Sequence, residues 1–264
     1  MQIAIVVSTE PGVQPLGLGG NFKANLNKAV EFGYEGVELF VGEPHRLDAK
    51  RVKKLVRAQG LEVPAVGTGL VYTRHGLSFT SSDRRIREKA VERVKDYIKL
   101  GNQLGSNVII GSVKGRCEKC EGGWANLRDC LMRSARVASN YGVHLLMEPL
   151  NRYESNIINT LEDAVELIES IGSEFIKILG DTFHMNIEER SMYDGIREAK
   201  KYLYHIHLAD SNRQAPGQGH LDFRKIMDTL GEIGFKGFGT VEILPLPDQF
   251  TAAKLAAEHL RSLT

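Results

Sequence analysis

Cysteine is scarce: three in 264 residues, too few for the disulfide framework of a small secreted domain. Cys117 and Cys120 form a C-x-x-C with Cys130 a few residues on. A closed zinc site wants four ligands and no fourth is evident nearby. They read as loop thiols, with a structural metal or a disulfide as the alternative. An excess of either charge sign is missing too. Thirty-four basic against 33 acidic residues leave a formal charge of +1, without the basic surplus of a nucleic-acid enzyme. No apolar run approaches the ~18–20 residues of a membrane span, so no membrane partner is expected. The opening Met1-Gln-Ile-Ala-Ile-Val-Val7 is too short for a signal h-region and lacks a basic n-region. It reads as a first strand and implies a cytoplasmic protein. No linker-like or low-complexity stretch divides the chain, so residues 1–264 read as one domain.

What is present is an alternation of apolar strands and amphipathic helices. Strands are expected at Ile3–Val7, Gly36–Phe40, Val63–Gly67, Asn107–Gly111, His144–Glu148, Phe175–Asp181, Leu203–Ala209 and Gly239–Ile243. The helices between and after them are Phe22–Phe32, Asp48–Gln59, Asp83–Leu104, Trp124–Tyr141, Leu161–Ile171, Tyr193–Lys200, Phe223–Ile233 and Ala252–Ser262. Gly33, Gly60, Gly142, Gly172 and Gly234 stand at helix ends, where a left-handed stop favours glycine. Eight units averaging 33 residues fit an α/β fold, a single (β/α)8 TIM barrel. A doubly wound sheet would carry its phosphate fingerprint after the first strand; Gly17-Leu-Gly-Gly20 lacks the third glycine at the required spacing and reads as a loop.

The stretch Tyr202-Leu-Tyr-His-Ile-His-Leu-Ala-Asp-Ser-Asn-Arg213 puts His205 and His207 on one side of a strand, because residues two apart point the same way. His205 is as readily a core residue as a functional one. His207 has company, since Glu148, Asp181 and Glu242 stand at the ends of the fifth, sixth and eighth strands. Their separations through His207 are 33, 26 and 35 residues, each about one β/α unit. Active sites of barrels are built at the carboxyl ends of strands, so four consecutive strands deliver four side chains to one rim. Three carboxylates without a counter-ion would repel and raise one another's pKa values. A divalent cation removes that penalty, and an acid-rich set with one imidazole suits Mn²⁺, Mg²⁺ or Co²⁺. The bland reading has these acids capping helices or pairing with Arg152 and Arg213.

Glu148-Pro-Leu-Asn-Arg-Tyr-Glu154, Asp181-Thr-Phe-His-Met-Asn186 and His207-Leu-Ala-Asp-Ser-Asn-Arg213 resemble the D-tagatose/D-psicose 3-epimerase group of the sugar isomerase/epimerase superfamily, whose fold is a xylose isomerase-like TIM barrel. The resemblance covers most of the chain and is strongest from Glu148 to Glu242. It implies that Glu148, Asp181, His207 and Glu242 bind one divalent metal, often Mn²⁺ or Co²⁺. It also implies that Glu154, His184 and Arg213 contact oxygens at the carbonyl end of the substrate. Epimerising the carbon next to a ketone removes a proton from one face and returns one to the other, and Glu148 and Glu242 are the expected acid/base pair. The substrate expected is a ketohexose or a keto-aldonate of the 5-keto-gluconate type. Basic Lys114, Arg116, Arg74 and His75, if turned inward, would suit an anionic tail.

Three rivals remain. An aldose–ketose isomerase, such as a hydroxypyruvate or xylose isomerase, would use the same ligands. An endonuclease IV-like phosphodiesterase would need additional histidines on earlier strands, and those end at Phe40, Gly67 and Gly111. A sugar-binding protein on a retired barrel would be expected to have lost some of seven competent positions. By analogy a homodimer or homotetramer is expected; the terminal apolar helix (Ala252, Leu255, Ala256, Leu260) suits core or interface. Pro216–Gly219 is the expected mobile loop.

Overall fold

Runs of β-branched and aliphatic residues form the strands, and most of the helices between them start at a capping side chain. A computed structural model of the protein describes residues 1–117 and 122–263; Cys120 lies outside them. The strands are β1 (Gln2–Ser8), β2 (Gly36–Phe40), β3 (Ala65–Gly67), β4 (Asn107–Ile110), β5 (Leu145–Met147), β6 (Ile176–Asp181), β7 (Leu203–Leu208) and β8 (Phe238–Val241). All pair in parallel in sequence order, and β8 pairs back to β1, closing a (β/α)8 TIM barrel. The helices are α1 (Phe22–Glu31), α2 (Ala49–Ala58), α3 (Gly69–His75), α4 (Arg84–Leu104), α5 (Gly123–Tyr141), α6 (Leu161–Ile171), α7 (Thr182–Glu188), α8 (Met192–Glu198), α9 (Phe223–Glu232) and α10 (Gln249–Ser262).

Differences from the sequence reading have local causes. β3 starts at Ala65 rather than Val63, because Pro64 has no N–H to give the ladder. β5 and β8 stop one residue before Glu148 and Glu242, so both glutamates lead the loops above the barrel. Two short helices, α3 and α7, escaped the periodicity argument, because seven residues are too few to show a helical stripe. Asp48, Asp83, Asp222 and Asp248 accept backbone N–H groups at the starts of α2, α4, α9 and α10. Thr160 and Asp163 form a reciprocal capping box on α6.

Side-chain alternation splits the core in two. Outward-facing Val66, Ile110, Met147 and Ile178 join the large cluster under the helices. Inward-facing Ala65, Ile109, Leu146 and Leu179 form a small separate cluster inside β3–β6. The opposite side of the barrel interior is polar: Glu38, His205, His207 and Thr240 are all buried there. Ala252, Ala256 and Leu260 of α10 are buried in the outer core, so that helix spends its apolar face on the barrel. Pro216–Gly219 is wrapped around buried Asp210, which accepts the N–H groups of Gly217 (2.8 Å) and Leu221 (3.1 Å); the segment expected to be mobile is pinned. Cys130 Sγ lies 3.8 Å from the Phe79 carbonyl, and burial pushes its thiol up to about 11, as fits a core thiol. No described helix is long and apolar enough to cross a membrane.

Candidate metal centre and active site

The register of the last strands carries the site. Asp181, the last residue of β6, is level with His207 of β7, which is level with Thr240 of β8. Around His207 Nδ1 stand Glu148 Oε1 at 3.4 Å, Glu242 Oε2 at 3.5 Å and Asp181 Oδ2 at 3.7 Å. One ligand atom from each of the four residues lies within 4.8 Å of the others, so the group could hold a single metal ion. Asp181 Oδ2 and His207 Nδ1 are buried without a hydrogen-bond partner, a costly state for polar atoms that a cation between them relieves. Carboxylates and one imidazole are the donor set of a hard or borderline divalent ion. The four sequence-predicted ligands therefore meet, and the residues fit the group.

Capping and ligation are compatible in one residue. Asp181 Oδ1 accepts the Phe183 N–H at 2.8 Å at the start of α7, leaving Oδ2 for the centre. Arg152 pairs with Glu188, Nε to Oε1 at 2.9 Å, not with the site acids. Arg213 does pair with one: Nη2 donates to Glu242 Oε2 at 2.6 Å, and its guanidinium lies 4.7 Å from the Phe183 ring centroid. Arg213 holds a left-handed φ of 60°, a sparsely used conformation for a side chain with a Cβ. Burial would raise the Glu242 carboxyl, but His207 and Arg213 hold it below the usual range. Burial alone would lower the His207 imidazole; Glu38, Glu242, Asp181 and Glu148 hold it well above its ordinary value.

Glu154, His184 and Arg213 also converge. Glu154 Oε1 is 3.9 Å from Arg213 Nη1, and Arg213 Nη1 is 3.4 Å from His184 Nε2. Asn151, which the sequence reading passed over, orients the other two. Its backbone N–H points at His184 Nδ1 (3.3 Å) and its Nδ2 lies 2.7 Å from Nδ1 and 3.1 Å from Glu154 Oε1. A backbone N–H can only donate, so Nδ1 accepts and the ring proton sits on Nε2, which faces Asp181 Oδ2 at 3.7 Å. The approach of Arg213 to Nε2 is then a contact between two donors, not a hydrogen bond. Gly111 matters at the opposite wall, since a Cβ there would overlap Glu148 Oε2. Glu38 is the other residue the sequence reading missed. Its signal was a lone acid in the apolar strand Gly-Val-Glu-Leu-Phe, inward by alternation.

Glu38, Glu148, Glu154, His184, His207, Arg213 and Glu242 line a cavity of about 300 Å³ whose other walls include Val6, Leu16, Phe40, Leu150 and Thr73. The basic residues considered for an anionic tail are committed elsewhere. Lys114 is wholly buried, Nζ donating to the Glu148 carbonyl at 2.9 Å. Arg116 donates to the Tyr153 carbonyl (2.9 Å), Arg74 pairs with Glu10 (3.0 Å) and His75 with Glu43 (3.0 Å). Among the described residues that line the cavity, Arg213 is the one Lys or Arg.

Comparison with known proteins identifies relatives of the whole barrel. The chain is 31% identical over 210 residues, 78% of its length and 69% of the relative's, to an L-ribulose 3-epimerase of Mesorhizobium japonicum. It is 29% identical over 235 residues, 84% of its length and 78% of the relative's, to a D-psicose 3-epimerase of Ruminiclostridium cellulolyticum. A solved L-ribulose 3-epimerase structure superposes with a TM-score of 0.85 at 26% identity, covering 100% of this chain and 96% of that one. The family model described as "Xylose isomerase-like TIM barrel" matches residues 26–263. With that match spanning most of its length, the chain belongs to the xylose isomerase-like TIM barrel family.

Proposed function

We propose that the protein is a divalent-metal-dependent ketose 3-epimerase, with Glu148, Asp181, His207 and Glu242 as metal ligands. The carrying observation is the convergence of those four donors, two with unsatisfied buried atoms, at a sugar-sized cavity lined by Glu148, His207 and Glu242 together with Glu154, His184 and Arg213. A bound Mn²⁺, Co²⁺ or Mg²⁺ supplies Lewis-acid stabilisation of negative charge on the carbonyl and neighbouring hydroxyl oxygens. The remaining work belongs to the chain. One of Glu148 and Glu242 takes the proton from the carbon next to the ketone, and the other returns a proton to the opposite face. Arg213 and the Nε2–H of His184 donate where charge develops, and Glu154 accepts from a substrate hydroxyl.

The reading favours a neutral ketose over a keto-aldonate. With Lys114, Arg116, Arg74 and His75 all engaged outside the cavity, no lysine or arginine besides Arg213 lines it among the described residues. The relatives' names, L-ribulose and D-psicose 3-epimerase, point to the same substrate class.

The test is incubation of the Mn²⁺-loaded protein with D-psicose, D-tagatose, L-ribulose and a six-carbon keto acid in separate reactions in D₂O. The expected product is the C3 epimer carrying deuterium at C3. An aldose product instead would assign the aldose–ketose isomerase chemistry, and faster turnover of a six-carbon keto acid would overturn the neutral-substrate reading.

A further inference from the structure

Behind His207 lies a second buried cluster, one carboxylate between two imidazoles, and the epimerase chemistry just described makes no use of its Glu38 and His205. Glu38, in the middle of β2 and level with Val6 of β1, is 3% exposed. Its Oε2 lies 3.1 Å from His207 Nε2 and 3.1 Å from His205 Nε2. His205 Nε2 is also 2.8 Å from Thr240 Oγ1 on β8. The two imidazoles stand edge to face, with centroids 5.6 Å apart and planes at 81°. Three strands on one side of the barrel thus tie a buried carboxylate to two rings.

We infer that Glu38 is a positioning residue for the metal centre: it holds His207 as the Nε2–H tautomer and so aims the Nδ1 lone pair at the ion. The inference rests on the metal site proposed above. An ionised carboxylate can only accept hydrogen bonds, so both ring nitrogens facing Glu38 carry protons. For His207 this leaves Nδ1 as the atom that faces Glu148, Asp181 and Glu242. Carboxylates behind a ligating imidazole fix its tautomer and orientation and raise its basicity, and their loss weakens metal affinity by about 10–100-fold. His205 and Thr240 complete the arrangement by keeping Glu38 facing β7. Glu38, His205 and His207 could themselves be taken for a second cation site, since their atoms also lie within 4.8 Å of one another. Their hydrogen bonds already occupy the nitrogens such an ion would need.

The experiment is titration of metal-free wild type and Glu38→Gln with Mn²⁺ alone, read by calorimetry, with the metal-free melting temperature of each recorded alongside. The expected result is one ion per wild-type chain and a dissociation constant raised about 10–100-fold in the variant. The absorption bands of the Co²⁺-loaded forms should differ as well, which a merely structural role for Glu38 would not cause. A second measurement needs no variant: nitrogen-15 spectra of the Mg²⁺-loaded wild type should place the His207 proton on Nε2. A variant dissociation constant within twofold of wild type, a His207 proton on Nδ1, or two ions per chain would overturn the inference. Absence of Mn²⁺ binding by the wild type would instead overturn the metal reading beneath it.

Discussion

Lys114 Nζ sits 2.9 Å from the backbone carbonyl oxygen of Glu148, and neither side chain is appreciably open to water. Burial pushes the amine down to about 7, against the attraction of Glu148 and Glu154. An unfolded lysine keeps its proton to about pH 10. Between about pH 7 and 10 the unfolded chain therefore binds a proton that the native one does not, and stability rises with pH across that window. Lys114→Met lacks this contribution. Denaturant unfolding at a series of pH values should show wild type gaining several kcal/mol on the variant from about pH 7 to 10, at about 1.4 kcal/mol for each step of one in pH. A difference that stays flat with pH would mean that the amine is not desolvated.

The two glutamates beyond β5 and β8 are the proposed proton carriers. Glu148→Gln and Glu242→Gln should each lower kcat by roughly a thousandfold, with the circular dichroism of the native protein retained. Undiminished epimerisation by either variant would refute the two-base scheme.

Ion and proton compete for His207. The surrounding carboxylates keep its imidazole protonated well above the usual range, so an ion that takes Nδ1 must displace a proton. Adding Mn²⁺ to metal-free protein in weak buffer should release about one proton per ion bound. The Mn²⁺ dissociation constant should rise as pH falls, and an affinity independent of pH would count against His207 as a ligand.

Arg213 combines a hydrogen bond to Glu242, a stack on Phe183 and an unusual backbone conformation. Lysine keeps the charge but not the planar stack or the guanidinium's spread of donors. Arg213→Lys should lower kcat/KM by about 10²-fold, a loss of roughly 3 kcal/mol of transition-state stabilisation. Steady-state kinetics on a ketose substrate checks this, and a change of less than threefold would remove Arg213 from the substrate contacts.

Much of this was legible in the chain before any coordinates. Glu148, Asp181, His207 and Glu242 could be found because barrel geometry sends the ends of consecutive strands to one rim, and their spacing repeats the β/α unit. Asn151 and Glu38 could not be found that way. Asn151 acts through a loop turn that no periodicity describes, and Glu38 is a single acid in an apolar strand whose partner, His207, is 169 residues away. The basic residues misled for a related reason: charge is visible in sequence, but the partner that absorbs it, such as Glu10 for Arg74 or the Glu148 carbonyl for Lys114, is not.

The short helix α3 forms part of the cavity wall through Gly69 and Thr73, and its far end is fastened by charge. Arg74 reaches Glu10 in the loop after β1, and His75 hydrogen-bonds Glu43, which is also gripped by Arg93 of α4 at 2.8 Å. The two arginine clasps are partly exposed, and dissolved salt weakens such pairs. The rim on this side is thus a drawstring whose tension ionic strength can slacken, while the floor around Glu38 and His207, tied by buried hydrogen bonds, stays taut.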